Sequence, residues 1–119
     1  MAKSMLIISR QAPWCGPLAR ETLDLALAGG AFDLPVAMLF MDEGVLQLLD
    51  QQQPKLIQIK DLQANIKALP MFGVEQLFAC QESLASRGVN AEHLLPGVSV
   101  LSAEALRDLM QHYDHVVTL

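Results

Sequence analysis

The chain is short of the residues that several large function classes require. Of its 119 residues only 8 are Lys or Arg, against 13 Asp or Glu, giving a formal net charge of −5. Gripping a phosphate backbone by counterion release takes clustered basic side chains, so no direct nucleic-acid partner is expected. Cysteine occurs only at positions 15 and 80. Two thiols so far apart make no disulfide framework, and both are expected to stay reduced in the cytoplasm. Long hydrophobic runs are also missing. The longest, Pro35 to Met41, is far below the roughly 20 residues of a spanning helix, and Asp24 and Asp33 interrupt the segment before it, so no membrane span is expected. The stretch Met1-Ala-Lys-Ser-Met-Leu-Ile-Ile-Ser9 has a four-residue apolar run and no cleavage pattern after it. It reads as a first strand and not as an export signal.

Chemical signatures are equally sparse. No Gly-x-Gly-x-x-Gly follows a strand and no Gly-Lys-Ser/Thr is present, which removes the usual dinucleotide and P-loop sites. After the first strand come Arg10 and Gln11, where a receiver-type phosphotransfer domain would place a magnesium-binding acidic pair. His112 and His115 have no cysteine or carboxylate cluster to complete four ligands, so neither a metal nor another cofactor is expected. Internal repeats and low-complexity tracts are absent.

What is abundant is apolar surface. Hydrophobic residues make up 52% of the chain and mean hydropathy is +0.31, more than a monomer of this size needs for its interior. Part of that surplus is expected to meet a partner, and Val45-Leu-Gln-Leu-Leu49, apolar on more than one face, is the candidate segment.

The apolar runs Met5–Ile8, Val36–Met41, Leu77–Ala79, Val98–Leu101 and His115–Leu119 have the length of buried strands. Helical spacing separates them, with Ala19, Leu23, Ala26 and Leu27 on one stripe, Leu62, Ile66 and Leu69 on another, and Leu106, Leu109 and Met110 on a third. Pro17 suits a first turn, Gly29-Gly30 and Gly88 suit helix stops, and Ser102 with Glu104 suits a helix start. Asp50-Gln-Gln-Gln-Pro-Lys55 reads as an exposed loop. The alternation predicts one α/β domain over residues 1–119, with three α/β/α layers around a mostly parallel five-stranded sheet. Reactive groups would then gather beyond the strands' carboxyl ends.

Two cysteines fall at that edge. Cys80 follows the third strand and precedes the helical segment Gln81–Arg87, where unpaired N–H groups would favour a thiolate or persulfide, although Glu82 opposes this. The competing reading is a buried structural thiol. Cys15 lies in Ala12-Pro-Trp-Cys-Gly-Pro17, a string similar to a thioredoxin active site that lacks the second cysteine, so dithiol exchange within it is impossible. A tight turn with Trp14 packing or meeting a partner is the other reading. Asp42-Glu43 could be taken for an acid pair, but its expected role is to open and cap a helix, where acidic charge at the N-terminus is favourable.

The order of elements, with Ala12-Pro13, Arg20-Glu21, Phe40, Asp42 to Gly44, Gln47 to Leu49, Val74 to Gln76, Cys80, Ser83-Leu84, Arg87-Gly88, Glu104 to Arg107 and Tyr113-Asp114, resembles the DsrE/DsrF-like family, most closely its TusC-like (DsrF-type) subunits. The resemblance implies strand order 4-3-2-1-5 and a place in a TusBCD-like sulfur-relay heterohexamer beside TusB-like and TusD-like subunits. Such a complex passes persulfide sulfur between donor and acceptor relay proteins, toward 2-thiolation of tRNA wobble uridine. The resemblance also implies that the carrier cysteine belongs to the TusD-like chain, leaving this one an accessory subunit. Alternatives are that Cys80 is itself a catalytic persulfide carrier, that the chain is a DsrF-type subunit of dissimilatory sulfur oxidation, or that it is a flavodoxin-like module for a small ligand.

Overall fold

A computed structural model describes residues 3–14, 16–49 and 57–119. The expected loop Asp50–Lys55 and the thiol of Cys15 lie outside the described residues. Five strands, β1 (Met5–Ser9), β2 (Val36–Phe40), β3 (Gln76–Cys80), β4 (Val98–Leu101) and β5 (His115–Thr118), form a sheet of order β4-β3-β2-β1-β5. Every pairing is parallel, with Met5 opposite both Val36 and His115, Ala37 opposite Gln76, and Leu77 opposite Val98. Both the parallel sheet and its order are as expected.

Handedness decides where the helices go. The connections β1→β2, β2→β3 and β3→β4 all step the same way across the sheet, so right-handed crossovers place α1 (Leu18–Ala31), α2 (Ile57–Ala68) and α3 (Gln81–Ser86) on one face. The last connection runs back past β1, which sends α4 (Ala103–Gln111) to the other face. The side chains follow. Ile7, Met38, Phe40, Leu77 and Ala79 pack with Ala19, Leu23 and Ala26 of α1 and Leu62 and Ile66 of α2. Their alternates Leu6, Ile8, Ala37, Leu39 and Cys80 pack with Leu106 of α4. A fully buried Leu or Phe of this kind contributes about 1.5–3 kcal/mol. One nine-residue helix covers less than three, so Met41, Phe78, Leu101, Leu109, Met110 and Tyr113 are only partly buried on that side.

Helix ends depart from expectation at one place. Gly29 and Gly30 do not stop α1 but lie inside it. The stop comes at Asp33, held at φ +60, with Asp33 N–H donating to the Gly30 carbonyl at 3.0 Å and Leu34 N–H to the Gly29 carbonyl at 3.0 Å. Gly30 is needed for proximity instead, because a Cβ there would sit 2.3 Å from the Phe72 carbonyl oxygen. Gly88, at φ +65, does end α3, and Ser102 Oγ accepts from Ala105 N–H at 3.3 Å as a cap of α4.

The segment after β2 also departs. Residues Asp42–Leu48 form a 3-10 helix (η1) in which Val45 and Leu48 are fully buried in the main core, while Leu46 and Leu49 are half-buried. The Leu48 carbonyl accepts from Leu95 N–H at 2.8 Å, the Leu49 carbonyl accepts from Gln63 Nε2 at 2.6 Å, and Leu49 bridges Leu94. Val45 and Leu48 are therefore used within the chain, which leaves only the half-buried Leu46 and Leu49 of this segment for the partner contact expected of it. Among the described residues the exposed large apolar side chains are Trp14, Leu25, Phe32, Leu34, Met71, Phe72, Val116 and Leu119, with Phe32 and Met71 the most exposed. Met71 and Phe72 belong to a second 3-10 helix (η2, Leu69–Phe72) that leads into β3.

At the amino edge β5 is latched to β1. Ser4 N–H donates to the Asp114 carboxylate at 2.8 Å, Asp114 N–H donates back to Ser4 Oγ at 3.1 Å, and His115 N–H donates to the Ser4 carbonyl. The Ser4 amide, ahead of smaller contributions, holds the Asp114 carboxyl below its ordinary pKa. A depressed carboxylate contributes stability above the unfolded-chain pKa, near 4, and loses it as pH falls through the lower folded value. Acidification through that window is expected to lower the hydrogen-exchange protection factors of the β5 amides ahead of those of β2. Asp114→Asn should show the reduced protection already at neutral pH and no further acid step.

Candidate functional site

The carboxyl edge is held together by polar contacts between three elements. Ser9, the last residue of β1, is buried, and its carbonyl accepts from Met41 N–H at 3.1 Å. Directly above, Gly44 of η1 lies so close to β1 that a Cβ would come within 2.1 Å of the Ser9 carbonyl oxygen. Gln47, buried on the next turn, donates from Nε2 to Ser9 Oγ at 2.8 Å and to the Gln11 carbonyl at 2.8 Å. Its Oε1 has no partner among the described residues.

Asp42 turns the chain from β2 into η1 at φ +50, a left-handed conformation that aspartate tolerates better than most residues. Asp42 and Glu43 do open the 3-10 helix as expected, but no side chain caps it. Asp42 Oδ2 takes a hydrogen bond from Arg10 Nε at 2.6 Å, and the Asp42 N–H donates to Ser83 Oγ at 2.9 Å. One connected path thus runs from the exit of β1, through the start of η1, to the first turn of α3.

Cys80 ends β3 on that turn. It stands at the N-cap of α3 with extended backbone (φ −77, ψ 120), the strand-to-helix junction expected of it, but its side chain makes no cap hydrogen bond. Strand alternation points it to the α4 face, where it is 4% exposed among Leu6, Ile8, Ala37, Leu39 and Leu106. Ser9 and Gln47 belong to the opposite side of the sheet, so the polar path does not converge on the thiol. The structure unites the buried-thiol reading and the edge-position reading in one residue. Trp14, beside Cys15, is 55% exposed.

The remaining candidates stay apart. His112 Nδ1–H donates to the Asp108 carbonyl at 2.6 Å, and His115 opens β5. Among the described residues no three His, Cys, Asp or Glu side chains converge as metal ligands, and no helix is long and apolar enough to cross a membrane. Burial raises the Tyr113 phenol above its ordinary pKa, and its hydroxyl donates to Gln76 Oε1 at 3.1 Å. Sequence reasoning gave no physical role to Ser9, Gln47 or Ser83. The available signal was a lone amide inside the apolar run Val45–Leu49, which a core accepts only when its hydrogen bonds are met.

Comparison with known proteins adds the ancestry. A model of the DsrE/DsrF-like family matches residues 3–119. A curated "Protein TusC homolog" of Pseudomonas aeruginosa is 60% identical over 119 residues, covering 100% of both chains. Another from Aliivibrio fischeri is 31% identical over 110 residues, covering 92% of this chain and 93% of that one. Among solved structures, the ychN protein from E. coli superposes with a TM-score of 0.79 at 23% identity, and a Methanobacterium thermoautotrophicum protein of unknown function with 0.69 at 17%, each covering 100% of both chains. These two likenesses concern the fold, which they share in full. With its length matched by the family model and by a relative of high identity, the chain belongs to the DsrE/DsrF-like family.

Proposed function

We propose that this chain is a structural subunit of a TusBCD-type sulfur-relay complex in the cytoplasm, assembled with TusB-like and TusD-like subunits, which passes persulfide sulfur toward 2-thiolation of tRNA wobble uridine. The observation that carries the reading is full-length 60% identity to a TusC homologue. The geometry supports the accessory role. A carrier thiol must meet a donor and then an acceptor, and a thiol 4% exposed beneath α4 meets neither without movement of its cover. The carrier is then the cysteine of the TusD-like chain, and this subunit supplies scaffold and shape.

The position of Cys80 at the end of a parallel strand and the start of a helix favours a second reading, in which it carries sulfur itself. An acceptor thiolate would attack the outer sulfur of a Cys80 persulfide, the S–S bond would break, and Cys80 would leave as thiolate. Cys80→Ser in the assembled complex separates the two. The structural reading expects intact assembly and 2-thiouridine formation within about twofold of wild type, because Cys80 takes no part in transfer and a buried serine hydroxyl costs only about 1–3 kcal/mol of stability. Loss of thiolation with assembly retained would transfer the carrier role to Cys80. A complex active in sulfur oxidation but inert toward tRNA would instead assign the chain to the DsrF-type pathway.

A further inference from the structure

Resting on the subunit reading above, we infer that the amino edge of the sheet is a docking face for a sister subunit of the relay, one that presents a lysine or arginine beside an apolar side chain. Phe32, at the end of α1, and Met71 and Phe72, in η2, are 81%, 88% and 49% exposed, whereas the other exposed large apolar side chains of the described residues, Trp14 at 55% apart, lie between 37% and 43%. They sit at the rim of a depression lined by Gly30, Asp33, Met71, Phe72, Gly73 and Glu75. Gly73 and Glu75 also line an adjoining depression that reaches Gln76 and Tyr113, so the groove continues over the edge of β3.

This exposure is built in. Gly30 lets α1 come against the Phe72 carbonyl, Val74 N–H donates to the Leu69 carbonyl at 3.0 Å, and Leu69 and Val74 are fully buried beneath. The backbone of η2 is pinned from below while Met71 and Phe72 face outward, which reduces the ordering cost of binding. Charge specifies the occupant. Asp33 and Glu75 line the groove, make no ion pair among the described residues, and have no Lys or Arg beside them in the lining. A cationic side chain is the complement of two carboxylates, and an apolar neighbour would cover Met71 and Phe72. A second copy of this chain, with net charge −5, fits such a face poorly. The groove also lies at the opposite end of β3 from Cys80, roughly 13 Å along the strand, so a subunit docked there leaves the carboxyl edge open.

The test co-expresses the chain with the TusB-like and TusD-like subunits of its own organism and follows dissociation of the purified complex with dilution and salt. Asp33→Asn with Glu75→Gln keeps a residue that tolerates φ +60 and removes only charge. It is expected to weaken assembly about tenfold and to flatten its salt dependence. Met71→Ser with Phe72→Ser is expected to weaken it about a hundredfold with an unchanged thermal melt. If the wild-type complex forms and both variants dissociate like it, the docking face is refuted while the subunit reading stands. If the wild-type chain joins no complex, both fall. Self-association of the chain alone that Met71→Ser abolishes would seat a second copy in the groove and overturn the assignment to a sister subunit.

Discussion

Gly44→Ala is expected to destabilise the chain by about 3 kcal/mol, even though alanine is the better helix former by up to ~1 kcal/mol. The added methyl would lie 2.1 Å from the Ser9 carbonyl oxygen, 2.8 Å from its carbon and 3.2 Å from Arg10 Cα. All three are backbone atoms, so no rotamer change relieves the overlap. Relief requires η1 to lift from the end of β1, which breaks the Met41 N–H to Ser9 bond and draws Gln47 away from Gln11. Against the ~5–15 kcal/mol of a typical domain this is a large fraction, and for a chain of this length it corresponds to a fall in melting temperature of about 10 °C. Urea unfolding of Gly44→Ala beside Gly29→Ala provides the measurement. At Gly29 the new Cβ meets only the Val36 side chain, Cγ2 at 2.9 Å and Cβ at 4.0 Å, a contact that a small shift of one stiff core residue relieves without moving the backbone of another element, so that variant should lose only about 1–2 kcal/mol. Equal stability of the two variants would mean that the β1–η1 approach is not tight.

The contrast between these glycines shows where sequence reading reaches its limit. Five short apolar runs separated by helical stripes announce a parallel α/β sheet because burial on both faces removes alternation from the strands. The same logic located β1 to β5 to within about two residues at each end, and Ser102 and Gly88 marked real helix ends because capping is local chemistry. Gly29-Gly30 failed as a stop because what fixes Gly30 is the carbonyl of Phe72, a residue 42 positions away. Asp42 failed as a cap for the same reason, its carboxylate being claimed by Arg10 across the sheet edge. Strand order was legible only through family resemblance, since composition does not say which edge the fifth strand joins.

The candidate site was legible in placement and not in orientation. That Cys80 would end a strand follows from the apolar run before it and the polar helix after it. That its side chain would turn beneath α4 follows from the register of β3, in which Leu77 and Ala79 face the three-helix side and Phe78 and Cys80 the other. A one-residue slip would reverse every assignment. The surplus of apolar residues was legible as an amount, whereas its location required knowing that η1 folds against Leu94 and Leu95 ahead of β4 while η2 packs on α1 with Met71 and Phe72 exposed.

Gln47→Glu should produce a pH-dependent loss of stability, because the substitution keeps the volume of a buried side chain and changes only its protons. In the wild type the amide of Gln47 donates to Ser9 Oγ and to the Gln11 carbonyl, the second of which can only accept. A neutral glutamic acid can replace this arrangement, its O–H donating to Gln11 and its other oxygen accepting from the Ser9 hydroxyl. A carboxylate cannot, and would face the Gln11 carbonyl as two unprotonated oxygens in a site 1% exposed. The folded-state pKa of the new acid therefore lies above the unfolded value of about 4.3, and the folded chain holds a proton that the unfolded chain releases. Stability relative to wild type then falls as pH rises past the unfolded pKa, by about 1.4 kcal/mol per pH unit, until the folded group itself ionises. The expected difference is small below about pH 4 and reaches ~3–4 kcal/mol at pH 7, measured by urea unfolding of both proteins across that range. A difference that is constant with pH would mean that the side chain had swung to solvent, and that the β1 exit is not clamped by the amide at position 47.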